Sequence, residues 1–201
     1  MIDEEHILEI AHRGNSHLNK DNSVASFVSA LNESFDMIEI DIQLCKTGEI
    51  VVYHDIEIKD KMVIDLCFNE LLKIDNEIIT LEEFFSIPGM KDAKVYLDLK
   101  GSIDLALKLT TFLDNHELNK ENILIASFNL KHLDAINALN LDYKLGFITE
   151  NNFTNDIYLQ LIDDYNLSVI CIHWTTLDKE SIQFLKNLRV AVYTYTLKNY
   201  M

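Results

Sequence analysis

Proline occurs once and glycine five times in the 201 residues of this chain. Loops therefore lack their usual punctuation, and element boundaries must be read from hydrophobic periodicity. The three cysteines, Cys45, Cys67 and Cys171, are widely spaced, and none forms a CxxC pair. That predicts reduced thiols, small core residues rather than ligands, and a cytoplasmic setting. The longest apolar runs, such as VVY at 51–53 and SVICI at 168–172, are far too short to cross a membrane. The start, MIDEEH, is acidic and has neither the basic opening nor the apolar core of a signal peptide. Positive charge is scarce, with 17 Lys and Arg against 33 Asp and Glu and a net charge of −16. A field of that sign argues against a nucleic-acid partner. It still leaves room for a small anion wherever a metal or an Arg/Lys pair reverses the local field.

With 48% hydrophobic and 25% charged residues, the chain has ordinary globular composition. Short β-type runs alternate with amphipathic stretches from end to end. The pattern predicts strands at 7–11, 37–43, 50–54, 95–100, 123–127, 144–148, 168–172 and 189–194. SVASFVSALNES spaces Val24, Phe27, Val28 and Leu31 as one helical face, with Asn22 or Ser23 as N-cap. TLEEFFSI has the capping-box spacing of Thr80 and Glu83. DLALKLTTFLDNH, LKHLDAINALN and KESIQFLKNL are helical by the same count. Strand followed by helix, repeated, predicts an α/β fold with a parallel sheet and right-handed crossovers. KTG at 46–48 joins two strands by a short turn and reads as a hairpin. No linker or repeat divides the chain, which predicts a single domain over 1–201. Setting aside the return strand 50–54 leaves seven crossover-type strands, and TLKNYM at 196–201 is where the helix after the seventh would begin.

The informative feature is where polar residues interrupt apolar strands. MIEIDIQL places Glu39 and Asp41 two apart, hence on one side of a strand, with Ile38, Ile40 and Ile42 on the other. Two carboxylates on one inner face repel unless a cation lies between them, and hard oxygen donors suit Mg²⁺ or Ca²⁺. Pairing with Lys or Arg would satisfy them equally well. VVYHD ends its strand in His54 and Asp55, VYLDLK puts Asp98 and Lys100 on one face, and the first strand runs into His12 and Arg13. Two histidines, three carboxylates and two cations at strand ends support phosphoester cleavage. A metal on Glu39, Asp41 and Asp98 polarises the phosphate, and Arg13 and Lys100 add positive charge. One histidine takes a proton and the other gives one. Asn22 either hydrogen-bonds in the site or caps the helix. His173-Trp174 ends a later strand, where Trp174 lines the mouth or packs against a helix.

These motifs resemble those of the glycerophosphodiester phosphodiesterase family. His12-Arg13-Gly14, Asp21-Asn22-Ser23, Glu39-x-Asp41, His54-Asp55, Asp98-x-Lys100 and Ser127-Phe128 occur in the family's order. The resemblance spans about residues 7 to 196. It implies a TIM-type (β/α) barrel that hydrolyses glycerophosphodiesters to glycerol 3-phosphate and an alcohol, using a divalent metal. His12 and His54 match the acid–base pair, and the reaction passes through a cyclic phosphate that water opens. Tyr193-Thr194 stands where Trp-Thr is usual, which places Tyr193 on the apolar side facing substrate. Three departures accompany the match. Asp98 replaces a Glu, Tyr193 replaces a Trp, and the family's last strand is absent. Seven barrel strands plus the return strand would then form a C-terminally truncated barrel with an open edge for self-association.

Two other readings fit part of the pattern. One is a weak or inactive family member kept as a binding module. The other is a related phospholipid-cleaving phosphodiesterase of the sphingomyelinase D type. The 42-residue step from His12 to His54 and the unpaired cysteines argue against the latter.

Overall fold

Apolar alternation at period two or 3.6 is what decides which segments become strands and helices here, and the order of elements follows it. The computed structural model describes residues 7–195. It comprises two compact units, Met1–Leu97 and Asp98–Met201. In chain order the first unit carries β1 (Ile10–Ala11), α1 (Val24–Asn32), β2 (Met37–Leu44), β3 (Ile50–Val52), β4 (Glu57–Ile58) and β5 (Lys61–Met62). It continues with α2 (Phe68–Ile74), β6 (Ile79–Thr80) and α3 (Leu81–Ser86). The strand β7 (Val95–Leu99) begins in the first unit and ends in the second. The second unit alternates strictly: α4 (Asp104–Asn115), β8 (Ile123–Ser127), α5 (Leu130–Asn137), β9 (Lys144–Thr149), α6 (Asn155–Tyr165), β10 (Leu167–His173), α7 (Lys179–Asn187) and β11 (Ala191–Tyr195). The seven expected crossover-type strands, β1, β2 and β7 to β11, and the return strand β3 are all present among the described residues. The helix start expected at TLKNYM, 196–201, lies outside them.

In the first unit β1 runs parallel to β2, with Ile10 beside Met37. β2 then turns back on itself through Cys45 to Glu49 and pairs antiparallel with β3, Ile42 opposite Val52. Gly48, at φ +89°, closes this turn by donating to the Cys45 carbonyl at 3.0 Å. Every residue of β2 is buried, so both of its faces are covered. The segment after β3 makes a small cap. Its hairpin β4–β5 turns through Lys59 and Asp60, both at positive φ. Cys45, Val51, Ile58, Val63, Leu66, Leu71 and Ile78 form the apolar cluster beneath it.

Helix α1 starts at Ser23, which accepts from the Ser26 amide. The face it buries is rotated from the expected one: Phe27 and Ala30 are inside, while Val24 and Val28 are exposed. The cause is Ser26, fully buried, whose single hydroxyl proton has the Arg13 and Ser23 carbonyls within reach at 3.0 and 2.8 Å. That contact draws the Ser26 side of the helix inward. Phe27 meets Phe84 of α3 edge to face at 4.9 Å, both rings wholly buried. Thr80 and Glu83 form the anticipated capping box at the start of α3.

The second unit is a run of parallel strands, β8 beside β9, β9 beside β10 and β10 beside β11. Parallel neighbours need a crossover between them, which α5, α6 and α7 supply. Helices α2 and α6 complete the set, turning Phe68, Leu71 and Leu72, and Tyr158, Leu161, Ile162 and Tyr165, to their covered sides. In α6 only Tyr158 is buried, while Ile157 and Leu159 face solvent. At the end of β8 the buried Ser127 meets the buried His132 of α5, Oγ to Nδ1 at 2.9 Å. His132 Nε2 lies 3.0 Å from the Ser102 carbonyl. Burial holds the His132 pKa below its ordinary value, against backbone hydrogen bonds at Ser102 and Gly101 that act the other way.

Two stability measurements follow from this packing. Phe84→Ala removes one of the largest buried rings and is expected to cost about 3–5 kcal/mol in denaturant unfolding; a loss under about 1 kcal/mol would contradict the packing described. For His132, the depressed folded pKa means stability is present above the unfolded value of about 6.5 and is lost as pH falls below it. His132→Gln should therefore lose less stability than the parent between about pH 7.5 and pH 5.5, and equal losses would contradict burial of the neutral ring.

Candidate active site

Three of the acidic side chains among the described residues are buried, Glu39, Asp41 and Asp98, each no more than 6% exposed. Burying a carboxylate without compensation costs several kcal/mol, so what surrounds each one defines the site. Glu39 and Asp41 share one side of β2, as their spacing of two requires. The loop that leaves β1 supplies their partners. The Arg13 amide donates to Glu39 Oε2 at 2.8 Å. Its guanidinium Nε lies 3.1 Å from Asp41 Oδ2, and its Nη1 donates to Asp21 at 3.0 Å. The Nε contact has ion-pair distance without hydrogen-bond alignment. Burial acts to lower the Arg13 pKa, but Asp41, Asp21 and Glu39 outweigh it and hold it above its ordinary value. The Asn22 side chain donates to Asp41 Oδ2 at 2.8 Å from a buried position. Ser23, not Asn22, is the N-cap.

This arrangement needs an unusual backbone. Arg13 and Asn22, neither a glycine, both lie in the left-handed region, at φ +59° and +53°. Gly14 follows at φ +75°, and a Cβ there would sit 2.4 Å from Ser26 Oγ. The Gly14 amide bonds the Ala11 and Glu39 carbonyls at 3.2 and 3.3 Å. The loop is thus pressed against both β2 and α1.

The two histidines stand at different points around this loop. His12 is partly exposed, and its Nε2 lies 4.0 Å from Glu39 Oε2. His54 follows β3, and its Nδ1 is 2.7 Å from Asp55 Oδ1. An ionised carboxylate only accepts, so Nδ1 carries the proton and Nε2 of the neutral ring is left able to accept one. Gln43 holds this turn in place, donating from Nε2 to the Tyr53 and Asp55 carbonyls at 2.8 Å each. Gln43 was not anticipated as a site residue. The signal was available, since 39, 41 and 43 share one face of β2. A cavity of about 210 Å³ opens beside these groups, lined by Arg13, Asn22, Tyr53, His54 and Asp55 among others. Lys20 bridges Asp75 and Glu77 of the cap at its edge, at 2.7 and 2.9 Å.

In the second unit, Asp98 pairs with Lys100 at 2.6 Å, two residues on along the same strand end. Lys100 Nζ also lies 5.1 Å from the centre of the Phe128 ring. Phe128 meets Tyr195 edge to face at 5.9 Å, and Tyr195 meets His173 at 5.2 Å. Trp174 is 53% exposed beside His173. Tyr193 is half-buried and pairs in register with Cys171. Tyr195, two residues beyond Tyr193, thus contacts both Phe128 and His173. Burial pushes the Tyr195 phenol pKa above its ordinary value.

The chemistry of the three buried acids can be tested against a metal. Glu39 and Asp41 in the first unit and Asp98 in the second each offer a buried carboxylate that could ligate an ion. The donors are all carboxylate oxygens, which suits a hard divalent cation and not a thiolate-seeking one. The residues fit.

Comparison with known proteins identifies the family. Residues 12–201 match the glycerophosphoryl diester phosphodiesterase family model. A glycerophosphodiester phosphodiesterase of Caldanaerobacter subterraneus is 30% identical over 182 residues, 80% of this chain and 74% of that protein. A crystal structure described as a putative glycerophosphodiester phosphodiesterase, from Galdieria sulphuraria, is 25% identical with a TM-score of 0.82, covering 94% of this chain and 84% of that one. A phosphodiesterase of Oleispira antarctica, solved with the product sn-glycerol-3-phosphate, is 22% identical with a TM-score of 0.81 and covers 96% of this chain and 85% of that one. The fold class is accordingly the TIM-type α/β barrel class anticipated from the motifs. No helix among the described residues is long and apolar enough to cross a membrane.

Gly14→Ala tests the loop directly. The added methyl has to displace Ser26 backbone as well as its hydroxyl, and the positive φ adds strain, so a loss of about 2–4 kcal/mol is expected in denaturant unfolding. A variant as stable as the parent would contradict the close approach of the loop to α1.

Proposed function

Because the chain belongs to the glycerophosphoryl diester phosphodiesterase family, we propose that it hydrolyses glycerophosphodiesters to glycerol 3-phosphate and an alcohol. His12 and His54 are its acid–base pair, and Glu39, Asp41 and Asp98 hold a divalent cation, Mg²⁺ or Ca²⁺. The observation that carries the reading is that the three buried acids of the described chain are the three at the family's motif positions. A bound divalent ion supplies Lewis-acid polarisation of the phosphate and offsets the charge that builds up on it.

The remaining steps fall to the chain's own groups. Lys100 adds positive charge where the phosphate oxygens gain negative charge. Arg13 serves first through Asp41, which its guanidinium already faces. One histidine takes the proton of the glycerol hydroxyl that attacks phosphorus. The other gives a proton to the departing alcohol oxygen. The cyclic phosphate so formed is opened by water with the two roles exchanged. His54 suits such a proton relay because Asp55 fixes its tautomer and leaves Nε2 bare. Asp98 is one methylene shorter than the Glu usual in the family, so its oxygen reaches less far from the strand. Cys45, Cys67 and Cys171 are not joined by disulfides, which suits a reducing compartment, and we place the reaction in the cytoplasm.

The test is release of glycerol 3-phosphate from a glycerophosphodiester such as glycerophosphoethanolamine. Activity should vanish on chelation and return with Mg²⁺ or Ca²⁺. His12→Ala and His54→Ala should each lower kcat by about 10²–10⁴-fold. Rates equal to the parent in both variants, or indifference to chelation, would overturn the proposal.

A further inference from the structure

One buried titratable side chain of the second unit takes no part in that chemistry: His132, on α5, 1% exposed. Its ring is engaged at both nitrogens, by the Ser102 carbonyl at 3.0 Å and the Ser127 hydroxyl at 2.9 Å. A carbonyl only accepts, so Nε2 carries the proton, and Nδ1 of the neutral ring accepts. Ser127, also fully buried, has one proton and two acceptors within reach, His132 Nδ1 and the Leu99 carbonyl at 3.0 Å. It accepts in turn from the Asn129 amide at 3.0 Å. The result is a bridge from the start of α5 to the backbone at 99 and 102. Those two carbonyls bracket Lys100 and Gly101 and follow directly on Asp98. Gly101 turns the chain out of the strand at φ +68°. Phe128, the residue after Ser127, lies under the Lys100 ammonium. Ser127 therefore holds the backbone of this strand end, and its neighbour supports the side chain. A site needing only bulk at position 132 would be filled by Leu. Here both polar ends of the ring are used.

We propose that His132 is a positioning residue, which through Ser127 and the Ser102 carbonyl fixes residues 98–102 and so the geometry of Asp98 and Lys100. The consequence for catalysis rests on the function proposed above, but the positioning itself does not.

The experiment uses the full chain and two variants. His132→Leu keeps the volume and removes both bonds, whereas His132→Gln retains a donor near the Ser102 carbonyl. Amide hydrogen exchange over 98–102 should become about tenfold faster in the Leu variant and return near the parent rate in the Gln variant, with exchange over 144–149 little changed. Calorimetric binding of sn-glycerol 3-phosphate should weaken about tenfold in the Leu variant and recover in the Gln variant. Unchanged exchange at 98–102 in the Leu variant overturns the inference. So does loosening that is equal in both variants and spread over the whole unit, as a packing role alone would give. If the Leu variant does not fold, Ser127→Ala is read in the same way, with the same loosening at 98–102 expected. A parent chain that neither hydrolyses diesters nor binds glycerol 3-phosphate defeats the proposed function, while the exchange result still decides the role of His132.

Discussion

Two carboxylates buried on one face of one strand must be met by positive charge and donors, and much of the first unit answers that demand. Left alone, each would cost several kcal/mol. Glu39 receives the Arg13 amide, and Asp41 receives the Arg13 guanidinium and the Asn22 amide. Both donor residues adopt left-handed backbone conformations to reach them. Such conformations cost about 1–3 kcal/mol each. That is less than the uncompensated carboxylates would cost, so the strained loop is the favourable solution. Gly14 follows because nothing larger fits against Ser26. Ser26 in turn sets which face α1 buries. A local electrostatic requirement on β2 thereby reaches the packing of a helix that carries no site residue of its own.

The same strand also arranges the proton-transfer groups. Glu39 has the imidazole of His12 within 4.0 Å. Gln43, four residues along the same face, holds the turn that carries His54 and Asp55. A strand with period two can thus hand one side chain to each task, and the opposite face stays isoleucine and packs. In the second unit the equivalent work is divided between a strand end and the helix behind it. Asp98 and Lys100 sit on the strand, and Ser127 with His132 grips the backbone that presents them.

How much of this was legible in the sequence depends on the kind of signal. The crossover strands, the return hairpin and the Thr80 capping box were readable because periodicity and capping are local. Helix α6 was not singled out, because the exposed Ile157 and Leu159 blur the face formed by Tyr158, Leu161, Ile162 and Tyr165. The cap between β3 and β6 was missed because its strands are two residues long and its hairpin turns through Lys59 and Asp60 rather than through glycine. The motif residues could be picked out by type and spacing. The contacts of Arg13 with Asp41 and Asp21 could not, since they depend on a positive φ that no pattern announces. Tyr193 was singled out by its neighbour Thr194; the contact of Tyr195 with Phe128 was not legible, because it depends on register at the strand end and not on residue type.

The central claim is that the buried acids on β2 form a cation site and not merely an ion-paired core. Diffraction from crystals soaked in Ca²⁺ tests it most directly. The account predicts an ion bonded to carboxylate oxygens of Glu39 and Asp41 at about 2.3–2.6 Å. Carboxylates still engaged only by Arg13 and Asn22, at an ion concentration that supports hydrolysis, would contradict it.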